Sequence, residues 1–280
     1  MEDKHQARAG TWNAEDYVKN SSAQEVWANE LISKLTLNGH ESLLDIGCGD
    51  GRITDKIAQR LPCGTVVGID SSESMIALAS KSFTRENLSF YTMDATDIHL
   101  DNTFDIAFSN ATLHWVKDHQ AVLSGLKNHL NPKAKILFQM GGYGNAAEIM
   151  NVVEQVTASS QWGAYFEGFD FPYHFYGIAD YEQWLRTAGY EVIRIALIPK
   201  DMVHKSRDEL MGWLRTTWFP YTDRLPEDRR ELFLTILVRE YIGKNPVDSK
   251  GQTHVKMVRL EVEARVRRVF GIWREVPLSR

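Results

Sequence analysis

The chain has 280 residues, 43% hydrophobic and 25% charged, with a formal net charge of −5, values ordinary for a soluble globular protein with room for one large α/β domain and a cap. The acidic balance excludes a general nucleic-acid or membrane-surface binder, and no apolar run approaches the ~18 residues of a membrane-spanning helix. Two cysteines without metal or disulfide spacing, and a charged Met1–Gln6 start without a signal-peptide core, point to a cytoplasmic protein.

The first expected element is a helix. Ser22-Ala23-Gln24-Glu25 fits a capping box, and Ala23, Trp27, Leu31 and Leu35 recur at helical spacing. Short apolar runs then alternate with helical patterns. Strands are expected at Ser42–Ile46, Thr65–Ile69, Leu88–Tyr91, Phe104–Ser109 and Lys135–Met140. Helices are expected at Ile53–Arg60, Ser72–Lys81 and His119–His129, the last stopped near Asn131-Pro132. This alternation implies βαβ units and a doubly wound, mainly parallel sheet.

The pattern changes after Gly141-Gly142. Residues 143–180 are rich in aromatics without clean periodicity. A helix is expected at Tyr181–Thr187, a strand at Tyr190–Ile198, and helices at Asp208–Arg215 and Glu227–Tyr241. His254–Val266 reads as a long strand, with Val255, Met257, Leu260, Val262 and Ala264 set against Lys256, Arg259, Glu261, Glu263 and Arg265. It suits an antiparallel hairpin partner for 190–198. The expected organisation is a lid and helix over 1–40 and a core over 41–142. Cap insertions follow at 143–189 and 199–252, with final core strands at 190–198 and 253–266. The tail, 267–280, has no assignment.

The most informative stretch is Leu43-Leu44-Asp45-Ile46-Gly47-Cys48-Gly49-Asp50-Gly51-Arg52, an apolar strand ending in an acid and turning through three glycines into a helix. Glycine permits positive φ and lets a ligand lie on bare backbone. In an open α/β sheet ligands bind at the carboxyl ends of strands, near the switch point. A second tip there is Gly68-Ile69-Asp70-Ser71, whose Asp70 lies roughly 20 residues past the glycines, where a carboxylate meets ribose hydroxyls. A third is Met93-Asp94-Ala95, suited to an adenine amine. Arg52 stands where a dinucleotide fingerprint has its third glycine, which weakens a nicotinamide or flavin reading. Together the three tips point to an adenosine-bearing cofactor.

These residues, with Phe104-Asp105-Ile106-Ala107-Phe108-Ser109-Asn110, resemble the class I S-adenosylmethionine-dependent methyltransferases over about 40–140. The resemblance implies a seven-stranded sheet with a reversed last strand, and S-adenosyl-L-methionine as cofactor. Asp45, Gly47 and Gly49 would lie at its methionine part, Asp70 and Ser71 at the ribose, Asp94 and Ala95 at the adenine, and Asn110 near the sulfonium. Trp12-Asn13…Tyr17, the stretch Ser109–His119 with Leu113-His114-Trp115-Val116, and Leu130-Asn131-Pro132 look like the trans-aconitate methyltransferase family. Gly212–Thr217 resembles that family's insertion, while aromatic segments such as 160–176 differ. Juvenile hormone acid methyltransferases share the Leu-His-Trp-Val stretch and a first-helix glutamine, here Gln24.

Both relatives methylate carboxylates, so the expected partner is a small carboxylic acid. A carboxylate is ionised at neutral pH and needs no general base. Gln24 and the Trp115 indole are its expected donors, and Trp12 and Tyr17 are expected in a lid over the cofactor. His114 reads as a base for a harder nucleophile, an orienting donor or a surface residue. Lys200, His204 and Arg215 are candidates for a second carboxylate, with solvated charge as the alternative. Rival readings are another acceptor (a malonyl thioester carboxylate, a carbon or an amine) and a non-catalytic cofactor-binding module. The histidines show no metal-ligand grouping.

Overall fold

The structure is a computed structural model that describes residues 22–267, with side chains from Val26 onward. Trp12, Tyr17 and the tail beyond Arg267 lie outside the described residues. So does the Gln24 side chain, although its backbone lies in the first described helix, α1 (Ser22–Ser33).

Seven strands follow: β1 (Ser42–Ile46), β2 (Thr65–Asp70), β3 (Leu88–Thr92), β4 (Phe104–Asn110), β5 (Leu130–Gly141), β6 (Tyr190–His204) and β7 (Thr253–Val266). They form one sheet in the order β3-β2-β1-β4-β5-β7-β6. Pairs from β3 through β5 are parallel, and β7 is antiparallel to both β5 and β6. The chain moves outward from β1 on one side, then returns to β4 on the other. That reversal leaves a crevice beyond the carboxyl ends of β1 and β4.

Helices cover both faces, which is why β1 reads as a nearly unbroken apolar run. Leu43 packs with Leu31, Ile57 and Phe108 beneath α1 and α2 (Arg52–Gln59). Leu44 and Ile46 face the other way, into a core with Phe104, Leu123, Phe138 and Leu185. That side holds α4 (His119–Lys127) and α6 (Ile178–Thr187), while α3 (Glu73–Ser82) follows β2. Side chains stop the loops from fraying: Ser72 Oγ accepts from Met75 N–H, and Asp118 Oδ1 from Ala121 N–H.

A third core joins α5 (Ala147–Thr157), α7 (Arg207–Thr217), the short α8 (Phe219–Thr222) and α9 (Glu227–Lys244) to the first half of β7. Trp162, Trp213, Trp218, Phe233, Val255 and Met257 lie in it. Among the described residues no helix is long and apolar enough to cross a membrane.

Two strands outrun their sequence signals. β6 continues through Pro199 to His204, because each step finds a partner on β7 as far as Thr253. Proline is tolerated there because β6 is the sheet edge. β5 begins at Leu130, before an irregularity in its pairing with β4 and a positive φ at Lys133 that the alternation of residue types does not reveal.

Candidate functional site

The turn after β1 is built on left-handed backbone, with φ of +74°, +54° and +80° at Gly47, Gly49 and Gly51. Its N–H groups mostly bind the protein itself. Gly47 and Cys48 both donate to Ile69 O, and Gly49 donates to Asp70 Oδ2 at 3.0 Å. What the turn offers a ligand is therefore surface. A Cβ on Gly49 would meet nothing within 4 Å, whereas one on Gly47 would strike Thr112 at 2.0 Å.

This surface floors a cavity of about 1510 Å³. Asp45, Gly47, Gly49, Asp70, Ser71, Asp94, Ala95, Asn110 and Trp115 all line it. The three strand tips predicted to converge do so. Asp70 uses its two carboxylate oxygens to hold Gly49 N–H and Ser72 N–H, fixing the β1 turn to the β2 tip. Burial raises its pKa against those two hydrogen bonds. Asp94 Oδ1 accepts from Thr96 N–H and Oγ1. Asn110 Oδ1 is buried without a hydrogen-bond partner.

Asp45 differs from the other acids. It is buried under the turn, accepts from Thr54 Oγ1 at 2.7 Å, and is pushed up to about 7 by desolvation and, secondarily, by the nearby Asp70 charge.

A smaller cavity of about 50 Å³ lies on the far side of Trp115, which with Ala111 lines both spaces. Its wall includes His114, Tyr173, Phe175, Trp213, Trp218 and Arg259. Trp115 stacks on Phe219 with ring centres 5.5 Å apart and meets Tyr173 edge-on at 4.3 Å. His114 meets Tyr173 edge-on at 5.0 Å. Burial, with a smaller contribution from the Arg259 charge, pushes His114 down to about 3.

The turn carrying this pair is a single 3-10 turn, Leu113–Trp115, held from below by His119. His119 Nε2 donates to Leu113 O at 2.8 Å, leaving Nδ1 to accept from Tyr181 O–H at 2.6 Å. From the other side His174 N–H donates to His114 O at 2.7 Å.

Comparison with known proteins gives this geometry a family. A profile described as a methyltransferase domain matches residues 44–138, the span holding all three strand tips. An uncharacterized methyltransferase of Schizosaccharomyces pombe is 32% identical over 217 residues, covering 73% of this chain and 79% of that protein. A trans-aconitate 2-methyltransferase of Shigella flexneri is 30% identical over 261 residues, covering 91% and 98%. The chain belongs to the class I S-adenosylmethionine-dependent methyltransferases. Solved structures with the same fold include the Bacillus YcgJ protein, with a TM-score of 0.56 at 15% identity over 88% of this chain and 100% of that one. An O-methyltransferase of Brevibacillus brevis in complex with S-adenosyl-L-homocysteine has a TM-score of 0.52 at 10% identity over 90% and 75%.

The crevice of this methyltransferase suits S-adenosylmethionine on its own features. Gly49 leaves a bare cradle that a Cβ would fill, and Asp70 holds carboxylate lone pairs at its rim. The buried, unpartnered Asn110 Oδ1 awaits a donor.

Of the cations considered from sequence, Arg215 is engaged by Glu231 at 2.8 Å and Lys200 by Glu30 at 2.5 Å. His204 is buried against Trp213 and lines neither cavity. The cation that does line the second cavity is Arg259, which the sequence reading set on a polar strand face. Its signal is a change of parity. Val255 and Met257 are odd-numbered, whereas Leu260, Val262 and Ala264 are even-numbered, yet β7 skips no residue in either pairing, the one irregularity lying on β6 between Val192 and Arg194. Arg259 and Glu261 therefore share the face of Val255 and Met257 and point inward.

Proposed function

We propose that this methyltransferase forms a methyl ester on a small carboxylic acid of the trans-aconitate kind, the acceptor named for its bacterial relatives. One observation carries the reading. Among the described residues lining the second cavity, the titratable groups are Arg259, Tyr173 and a histidine, His114, pushed down to about 3 by burial. Such a histidine stays neutral at physiological pH and is a poor proton acceptor. A carbon or ammonium acceptor would have to lose a proton there, whereas a carboxylate is already an anion.

When bound, S-adenosylmethionine supplies an electrophilic methyl group on a sulfonium. The chain's own residues bind, orient and exclude water. Gly47 and Gly49 present bare backbone, Asp70 and Ser71 the ribose partners, and Asp94 and Ala95 those for adenine. Asn110 holds the reacting end, and Asp45 supports the turn from beneath. Trp115, between the two cavities, aligns the acceptor oxygen with Gln24 as a second donor. His114 is an orienting group for the acceptor. The aromatic wall keeps water from competing for the carboxylate, and alignment of this sort supplies ~7–11 kcal/mol of barrier reduction. Residues 143–189 and 199–252 act as the acceptor cap, with Trp12 and Tyr17 as a lid.

The test is incubation with methyl-labelled S-adenosylmethionine and a panel of mono-, di- and tricarboxylic acids. Label released by alkali as methanol supports the ester. Alkali-stable label on carbon or nitrogen overturns it.

A further inference from the structure

β1 and β4 part at the mouth of the crevice. Their backbone ladder ends at the Asp45–Phe108 pair. β4 stays with β5 further, as far as Asn110 and Gln139, and Ala111 N–H still donates to Gln139 O at 2.7 Å. Two hydroxyls reach back across the opening toward β1. Ser109 Oγ, in the core, donates to Ile46 O at 2.8 Å. Thr112 Oγ1, on the crevice wall, donates to Gly47 O at 2.9 Å.

Thr112 stands just before the Leu113–Trp115 turn, where a threonine hydroxyl ordinarily accepts from the N–H groups of its own helical turn. It makes no such bond. The side chain is directed to β1 instead, after a left-handed Ala111 with φ of +56°. Left-handed backbone is unfavourable for a residue with a Cβ and persists only where its surroundings hold it. Thr112 Oγ1 also lies 3.2 Å from Asn110 O, so the Gly47 carbonyl is the nearer acceptor for its one proton. Its Cγ2 fills the space beside Gly47 in which a side chain would otherwise stand.

One side chain thus joins two turns. Gly47 belongs to the cofactor turn, and Trp115 donates its backbone N–H to Thr112 O at 2.9 Å. The Leu113–Trp115 turn has other supports: His119 at Leu113 O, His174 N–H at His114 O, and Tyr176 O–H at Lys117 O. Those three bonds tie it to α4 and to residues 174–176 rather than to β1. Without the Thr112 hydroxyl both walls would stand, and only the spacing between them would be released.

We infer that Thr112 is a positioning residue for methyl transfer, its bond to Gly47 O setting the distance between the sulfonium methyl and the acceptor held at Trp115. In that step a carboxylate lone pair forms the O–CH3 bond as the S–CH3 bond breaks and its electrons return to sulfur, giving the methyl ester and S-adenosylhomocysteine. A misplacement of about 1 Å costs such a reaction roughly 100-fold. This role rests on the ester reading and adds to it the link that keeps donor and acceptor in register.

The experiment follows labelled methyl in single turnovers, from protein preloaded with S-adenosylmethionine to the acid of the panel that is esterified fastest. Single turnover at saturating acid reads chemistry rather than product release. Thr112→Val keeps the shape and removes the hydroxyl, whereas Thr112→Ser keeps the hydroxyl. Thr112→Val should transfer the methyl about 100-fold more slowly than wild type. Its KM for the acid, and its affinity for S-adenosylhomocysteine by calorimetry, should stay within about threefold, the pattern of an interaction felt only in the transition state. Thr112→Ser should recover most of the rate.

Transfer by Thr112→Val at the wild-type rate overturns the inference. So does a serine variant as slow as the valine one, or an equal loss in S-adenosylhomocysteine affinity. If Thr112→Val does not fold, Thr112→Ala, which adds no bulk beside Gly47, carries the same expectation. In all these outcomes an acid is still esterified by wild type and the ester reading stands. If wild type binds S-adenosylhomocysteine but esterifies no acid, the ester reading fails and the positioning role fails with it.

Discussion

A Cβ placed on Gly47 would stand 2.0 Å from Thr112 Cγ2, while one placed on Gly49 would point into open crevice. Both residues have positive φ, so alanine at either position carries the left-handed strain of roughly 1–2 kcal/mol. Only Gly47→Ala adds overpacking, about 1–3 kcal/mol more. Gly47→Ala should therefore melt several degrees below Gly49→Ala in the ligand-free state. Gly49→Ala should lose affinity for S-adenosylhomocysteine by about tenfold or more, because its methyl occupies the cradle. Thermal melts and calorimetry on the two variants check this, and equal melting temperatures would refute the contact at Thr112. The glycine, Asp70 and Asp94 positions were legible from sequence because each lies at the end of a local strand signal. The inward placement of Arg259 was not, because it depends on α1 and β6, which lie more than 50 residues away in the chain.

α1 is fastened to the sheet by charge as well as by Leu31 and Leu35. Glu261 on β7 is fully buried, and both its oxygens lie 2.8 Å from Lys34 Nζ of α1. Arg194 of β6 reaches the same carboxylate, and Gln139 of β5 donates to it at 3.0 Å. Lys34 and Arg194 are each about a third exposed, so solvent screens part of their attraction. Removing the central charge still leaves two cations facing an interior that was built around it. Glu261→Gln should destabilise by about 2–3 kcal/mol, below the full range for breaking a buried pair, and lower Tm by several degrees. Unchanged melting would mean that the four side chains merely coexist. The strand pairing was legible at the level of elements, including the antiparallel partnership of β6 and β7. Its length was obscured by Pro199, and the inward charges by the parity change at Val258, where apolar residues move from one face of β7 to the other.

Across the whole molecule the sheet core and the cap helices have separate hydrophobic cores, and the 3-10 turn at Leu113–Trp115 stands where the two cavities meet. The first core could be inferred from residues 40–140 because its βαβ units close over short sequence separations. The helical, aromatic cap was expected as well, but not its internal packing, because Trp162, Trp213, Phe233 and Val255 find each other across about 90 residues with no local period to announce it. What ties the turn to the sheet core is His119, 2% exposed and pushed down to about 4 chiefly by burial. Its folded pKa lies below the unfolded value of about 6.5, so the unfolded chain binds more protons between those values. The stability it contributes is complete above pH 6.5 and is lost as pH falls toward 4, by about 3 kcal/mol at pH 4. Asp45, raised to about 7, works the other way, its contribution fading as pH rises through 7. A melt of one protein therefore mixes opposing trends, and a difference between two proteins separates them. In His119→Asn the amide can donate to Leu113 O and accept from Tyr181 O–H without titrating. Between pH 7 and pH 4 the variant should gain about 3 kcal/mol relative to wild type, seen as Tm curves that converge or cross. Parallel curves over that interval would mean that His119 is protonated as easily in the fold as outside it, and that burial does not hold this turn in its neutral state.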